Sequence, residues 1–156
     1  MADRQVGVLR ATPFLKNTNE LFGLVGKNTG NQLFRYALDK HIKNSKILFN
    51  FSDDPQYFSD NCGLLVIPSA NQIHPGWDLS KWANFIEKTK LPTLAIGLGA
   101  QNTTTQSTSK MRLKKGTLRY LKVLSERSKT IGVRGIYSLD QLNKHGIKNA
   151  VITGCP

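Results

Sequence analysis

Three turns in this sequence carry residues whose types and spacing are suited to binding a ligand. The first is Asn28-Thr29-Gly30-Asn31, which opens a predicted helix. Glycine lets a backbone approach a ligand closely, and the N-terminus of a helix favours an anion. Lys27 is followed by Asn28 rather than by serine or threonine, which excludes a Walker A loop. The turn therefore indicates an anion site, with a simple helix-capping turn as the alternative.

The second and third turns each follow a predicted strand. Gly97 and Gly99 flank Leu98, and such small residues permit a ligand to approach; tight packing of a helix on the sheet is the alternative. Arg134 ends a later strand and is followed by Gly135. A guanidinium in this place can grip a carboxylate or phosphate through two parallel hydrogen bonds. Arg134 thus indicates an anionic ligand, unless it is an ordinary surface arginine.

The other reactive groups form no recognisable catalytic or metal-binding pattern. The sequence shows no serine triad, no signature pair of acids and no zinc-type spacing of Cys and His. We therefore assign no catalytic residue and expect neither a metal nor a cofactor. Cys62 and Cys155 lie far apart, as expected of free thiols in a reducing compartment. No signal peptide and no apolar run of about 20 residues is evident, so we expect a cytoplasmic protein.

Alternating strand and helix patterns must position these turns. They predict an α/β fold, a Rossmann-like parallel sheet with helices on both faces, in a single domain spanning residues 1–156. Open sheets of this kind bind ligands at the carboxyl ends of their strands. The predicted strands cover residues 6–9, 46–51, 62–67, 93–98, 130–133 and 150–153. The predicted helices cover residues 31–43 and 112–127, and two more begin near Asp78 and Ser138.

Several local patterns predict where these elements begin and end. The polar stretch of residues 10–30 is dotted with glycine and predicts a loop. Asp53-Asp54-Pro55 predicts a break after the second strand. Ser138 and Gln141 are three residues apart and predict a capping box, while Gly146 predicts the end of the same helix.

Positive charge dominates the chain and is concentrated in its last third. The formal net charge is +12, and residues 110–148 contain eleven Lys and Arg against two acids. A field of this sign attracts nucleic acid, acidic lipid headgroups, phosphorylated metabolites or acidic glycans. Nucleic acid is the least favoured of these partners, because the basic segment has no recognised motif and few interleaved aromatic residues.

Taken together, the three turns and the end of the chain resemble the polysaccharide pyruvyl transferase family. The family's Asn-x-Gly-Asp/Asn element corresponds to Asn28-Thr29-Gly30-Asn31, and its Gly-x-Gly turn corresponds to Gly97-Leu98-Gly99. The most specific match is to the family's arginine turn, short helix and following strand. It lies in residues 131–138, 142–147 and 151–156.

The resemblance implies a fold and a reaction. Such enzymes have two Rossmann-like halves, similar to GT-B glycosyltransferases, with the active site between them. They move a pyruvyl group from phosphoenolpyruvate to two hydroxyls of a sugar in a cell-surface polysaccharide, which can be lipid-linked at a membrane. By resemblance, Arg134 grips the anion, and Asn28, Gly30 and Asn31 line the same cleft as Gly97 and Gly99. The chain would then be the N-terminal half of such an enzyme, inactive alone.

Two further hypotheses stay open on the sequence. The chain could be half of a GT-B-like glycosyltransferase, with a basic face that meets a nucleotide-sugar or an acidic acceptor. It could also be a non-enzymatic basic module that binds anions, for which the charge of residues 110–148 is the motivation.

Overall fold

The computed structural model describes residues 4–9, 17–24, 30–43, 46–102 and 109–155. Within these ranges strands and helices alternate along the chain. The strands are β1 (Gln5–Leu9), β2 (Lys46–Phe49), β3 (Cys62–Pro68), β4 (Thr93–Ile96), β5 (Ile131–Val133) and β6 (Ala150–Ile152). The helices are α1 (Thr18–Leu24), α2 (Gly30–His41), α3 (Pro55–Asn61), α4 (Ser80–Thr89), α5 (Lys115–Arg127) and α6 (Ile136–Lys144).

The strands form a parallel arrangement in the order β2-β1-β3-β4, beside a parallel pair β5-β6. A parallel bridge between Leu98 and Val133 joins the two groups. Its hydrogen bonds run from the Leu98 N–H to the Gly132 carbonyl (2.9 Å) and from the Arg134 N–H to the Leu98 carbonyl (3.1 Å). Successive strands are added on one side of β1 (β2) and then on the other (β3, β4), and in such sheets ligands bind at the carboxyl ends of the strands near this switch point.

Strand β3 is the centre of the core. Leu65, Val66, Ile67 and Pro68 are consecutive and all buried. Because successive side chains of a strand point to opposite faces, both faces of the sheet are covered at β3. The predicted α/β, Rossmann-like fold is thereby confirmed.

Helix α3 follows the predicted break at Asp53-Asp54-Pro55 and was not itself predicted. Pro55 occupies the first turn of α3, where a missing N–H costs nothing. The Asp54 carboxylate accepts a hydrogen bond from the Gln56 N–H at 3.0 Å and caps the helix. The prolyl residue therefore starts a helix rather than merely ending a strand. A second unpredicted helix, α1, lies in the stretch that we expected to be a loop.

The capping box predicted at the start of α6 is also wrong, because its two residues are used in tertiary contacts. Gly135 precedes α6, and no side chain caps it. The Ser138 hydroxyl instead accepts from the Ala100 N–H (2.9 Å), and the Gln141 side chain accepts from the Met111 N–H (2.8 Å). The helix end is as predicted, since Gly146 has a φ of 83° directly after it.

His145 at the end of α6 makes stability depend on pH. Its Nε2 lies 3.0 Å from the Met111 carbonyl oxygen, and burial, followed by the charge of Lys110, lowers its pKa. Unfolding releases the imidazole to take up a proton, so the free energy of unfolding should fall as the pH drops below about 6.5. Urea titrations of wild type and His145→Gln between about pH 7.5 and 5 should show a shallower pH dependence in the variant. Equal slopes would contradict this prediction.

Candidate functional site

Arg134 lies directly after β5 and is held in place by two neutral oxygen atoms. Its Nε donates to the Gly97 carbonyl at 3.1 Å, and its Nη1 donates to Asn71 Oδ1 at 2.9 Å. The guanidinium carbon lies 5.7 Å from the centre of the Phe34 ring on α2. A guanidinium has five N–H donors, and these two bonds to described residues use two of them. The contacts thus orient the group and leave donors for a ligand.

The electrostatic environment of Arg134 favours an anion. Within the described part of the chain, no carboxylate forms an ion pair with this side chain. A cation that is partly buried without a counter-ion attracts an anion more strongly than one in bulk water, because screening is weaker there. The arrangement suits a carboxylate or phosphate that is bound by two parallel hydrogen bonds.

Gly97 and Gly99 lie beside Arg134. Gly97 has a φ of 71°, which turns the chain out of β4 and exposes its carbonyl to the guanidinium. A Cβ atom at Gly99 would lie 2.7 Å from Asn71 Oδ1 and 3.1 Å from Arg134 Cδ. Gly99 is therefore the position at which a side chain would push Arg134 and Asn71 apart.

Replacing Gly99 by alanine should displace Arg134. The added methyl group overpacks the contact, and we expect the free energy of unfolding to fall by about 1 kcal/mol. The Nε–H resonance of Arg134 in a nitrogen-15 NMR spectrum should shift, because its bond to Gly97 is disturbed. Gly135→Ala is the matched control, since nothing lies within 4 Å of its Cβ position and its φ is −179°. An unchanged Arg134 resonance in Gly99→Ala would contradict the prediction.

Asn71 is the site residue that sequence reasoning missed. It follows β3 closely, and its side-chain amide donates to Gln101 Oε1 at 2.8 Å while its oxygen accepts from Arg134. Asn71 therefore links the carboxyl ends of β3, β4 and β5. The rule that polar residues after parallel strands meet at one edge could have found it. Its partner Arg134 is 63 positions away along the chain, so no local sequence pattern marks the pair.

The predicted residues at the start of α2 have different outcomes. Asn28 lies outside the described residues, as does the side chain of Asn31. Gly30 begins α2, and Phe34 lies about one helical turn further on, packed against Arg134. The structure thus brings α2 to Arg134 through Phe34. A ligand-binding role for Asn28, Gly30 and Asn31 stays a prediction.

Across the described ranges, no group of three His, Cys, Asp or Glu side chains is placed to hold a metal ion. None of the described helices combines the length and apolar character that crossing a bilayer requires.

Comparison with known proteins adds one finding to this geometry. The family model of polysaccharide pyruvyl transferase matches residues 28–156, which include all three predicted turns and Asn71. No curated protein and no solved structure showed a significant match to the chain. The matched region covers most of the chain and contains the Arg134 site. The chain therefore belongs to the polysaccharide pyruvyl transferase family.

Proposed function

We propose that this chain is a domain of an enzyme that transfers a pyruvyl group from phosphoenolpyruvate to a sugar of a cell-surface polysaccharide. The observation that supports the proposal is the Arg134 guanidinium, held by neutral partners at the carboxyl ends of three strands. Phosphoenolpyruvate carries a carboxylate and a phosphate, and either group fits the donors that remain on Arg134. The match to this family supports a polysaccharide as the acceptor.

The reaction forms a ketal in two steps. The oxygen of one sugar hydroxyl adds to C2 of the enol and the hydroxyl gives up its proton to a base, while C3 takes a proton from a general acid. The second hydroxyl then attacks C2, loses its proton, and displaces phosphate as the C2–O bond breaks. Arg134 would bind the substrate carboxylate through both steps. Its positive charge would also stabilise the negative charge that develops as phosphate leaves. Gly97 and Gly99 would let the substrate approach the backbone, and Asn28, Gly30 and Asn31 would line the opposite wall.

The resemblance to the family also guides three wider proposals. Residues 1–156 would be one Rossmann-like domain of a two-domain enzyme, with the active site completed by the second domain and no transfer by this domain alone. The acceptor would be a glycan of exopolysaccharide biosynthesis, carried on a lipid at the membrane. The enzyme would act in the cytoplasm, where phosphoenolpyruvate is formed.

Ligand binding tests the proposal against a glycosyltransferase function. We expect phosphoenolpyruvate to raise the melting temperature of the full-length protein, while nucleotide-sugars leave it unchanged. Arg134→Ala should abolish this stabilisation. A stabilisation by nucleotide-sugars alone would favour the GT-B-like glycosyltransferase. Salt-sensitive binding of every polyanion, with no effect of Arg134→Ala, would favour a basic anion-binding module.

A further inference from the structure

A second surface, defined by Trp77, Lys114 and Lys115, lies beside the Arg134 site. Trp77 is 43% exposed, although it belongs to a tightly hydrogen-bonded turn. Its N–H donates to the His74 carbonyl (3.3 Å), and its carbonyl accepts from the Thr117 hydroxyl (2.5 Å). The His74 and Trp77 rings lie 5.5 Å apart between centroids. The backbone of Trp77 is thus fixed by hydrogen bonds, while the indole packs beside His74 and still presents much of its surface to solvent.

Lys114 and Lys115 are both exposed and stand at the start of α5, beside the Thr117 that holds Trp77. The first turn of α5 contains no acid, and no side chain caps it. Cations at a helix N-terminus oppose its dipole and cost about 0.3–1 kcal/mol each. One acid, Asp78, is nearby; its carboxylate accepts from the Ser80 N–H at 3.0 Å, with Lys114 acting on it electrostatically. Two exposed cations beside one exposed acid leave this surface with net positive charge, which suits a partner with negative charge.

A short stretch of chain links this surface to the Arg134 site. The segment from Asn71 to Trp77 leaves β3 at the site and carries the tryptophan outward. It is paired to the β4 exit, since the Ile73 N–H donates to the Gly99 carbonyl (3.1 Å) and the Gln101 N–H donates to the Ile73 carbonyl (3.0 Å). A long polymer bound at Trp77 could therefore reach Arg134 along one edge of the sheet.

We infer that Trp77, Lys114 and Lys115 form a docking surface for an anionic polysaccharide, the acceptor class of the proposed transferase. That the polymer is a polysaccharide rests on the proposed function. The flat indole offers an apolar face to a sugar ring and one N–H donor to its hydroxyls. The two ammonium groups pair with carboxylates of neighbouring sugars. Nucleic acid is less suited, because single-strand binding uses several stacked aromatic residues and this surface supplies one tryptophan.

Binding without catalysis tests this surface. Isothermal titration calorimetry of the full-length protein with oligogalacturonate should show binding that weakens with salt, and a dextran of equal length should bind much more weakly. Trp77→Ala should reduce the affinity about tenfold, which corresponds to about 1.4 kcal/mol. The double variant Lys114→Gln/Lys115→Gln should cause a similar loss. In Trp82→Phe, which leaves Trp77 as the only tryptophan of residues 1–156, oligogalacturonate should change the tryptophan fluorescence, and Trp77→Ala should remove this change.

The matched control removes the same charge elsewhere. Lys122 and Lys129 are both exposed and lie further along the chain, toward and beyond the far end of α5. Lys122→Gln/Lys129→Gln should change the affinity less than about twofold, since only distant charge is lost. Equal losses in the two double variants, no effect of Trp77→Ala, or tighter binding of duplex DNA or anionic vesicles would overturn the inference. Phosphoenolpyruvate is absent from this binding assay. The binding result can therefore be interpreted even if the protein does not transfer a pyruvyl group.

Discussion

Lysine in place of Arg134 should lower kcat/KM of the full-length protein for phosphoenolpyruvate by about 100-fold or more, although the positive charge is kept. An ammonium cannot reproduce the planar fork that donates to Gly97 and Asn71 while presenting further N–H groups to a ligand. Its charge would also lie off the position that the two neutral oxygens define. Initial rates of phosphate release at varied phosphoenolpyruvate concentration give the measurement.

Arg127→Lys is the matched control for this substitution. Arg127 ends α5 and donates to the Lys90 carbonyl at 3.2 Å, away from the carboxyl ends of the strands. The same substitution at Arg127 should leave kcat/KM within about twofold of the wild-type value, because this partly exposed hydrogen bond lies away from the site. If Arg134→Lys lowers kcat/KM by less than about threefold, the guanidinium of Arg134 does not bind phosphoenolpyruvate as proposed.

Gly116→Ala should destabilise the fold by about 1–3 kcal/mol, despite the better helix propensity of alanine. A Cβ at this position would lie 2.0 Å from both Asp78 Oδ1 and Ser80 Oγ. These two atoms are hydrogen-bonded to each other, and the Asp78 carboxylate also accepts from the Ser80 N–H. Moving them breaks the polar contacts that precede α4 while α5 is pushed away from it. Urea unfolding monitored by circular dichroism measures the change.

A double-mutant cycle separates the steric clash from a general effect of the substitution. In a background of Asp78→Ala/Ser80→Ala, both clashing oxygen atoms are gone, and Gly116→Ala should become neutral or stabilising by up to about 1 kcal/mol. Gly135→Ala should be nearly neutral in the wild type, since no atom lies within 4 Å of its Cβ position. An additive cycle would show that the clash is not the cause.

The alternation of strands and helices was predictable because it rests on local patterns. Strand β3 is a continuous apolar run, and the helix face of Leu121 and Leu124 in α5 repeats at helical spacing. Proline misled the prediction at Pro55, because the residue breaks one element and starts the next with equal ease.

Features that depend on distant contacts were not predictable from local sequence. Ser138 and Gln141 have the spacing of a capping box, but tertiary partners at Ala100 and Met111 compete successfully for their polar groups. Arg134 was predicted as an anion-binding residue from its place after a strand. The oxygen of Asn71 that orients it comes from another strand exit and has no sequence pattern of its own.

Transfer of labelled pyruvate tests the central claim most directly. The full-length protein would be incubated with phosphoenolpyruvate labelled with carbon-13 at C2, together with candidate polysaccharides. We expect the labelled C2 to appear as a ketal carbon resonance in the purified polysaccharide, with one phosphate released for each ketal formed. Arg134→Lys should give neither at a comparable rate. Phosphate release without label in any polysaccharide, or full transfer by Arg134→Lys, would contradict the account.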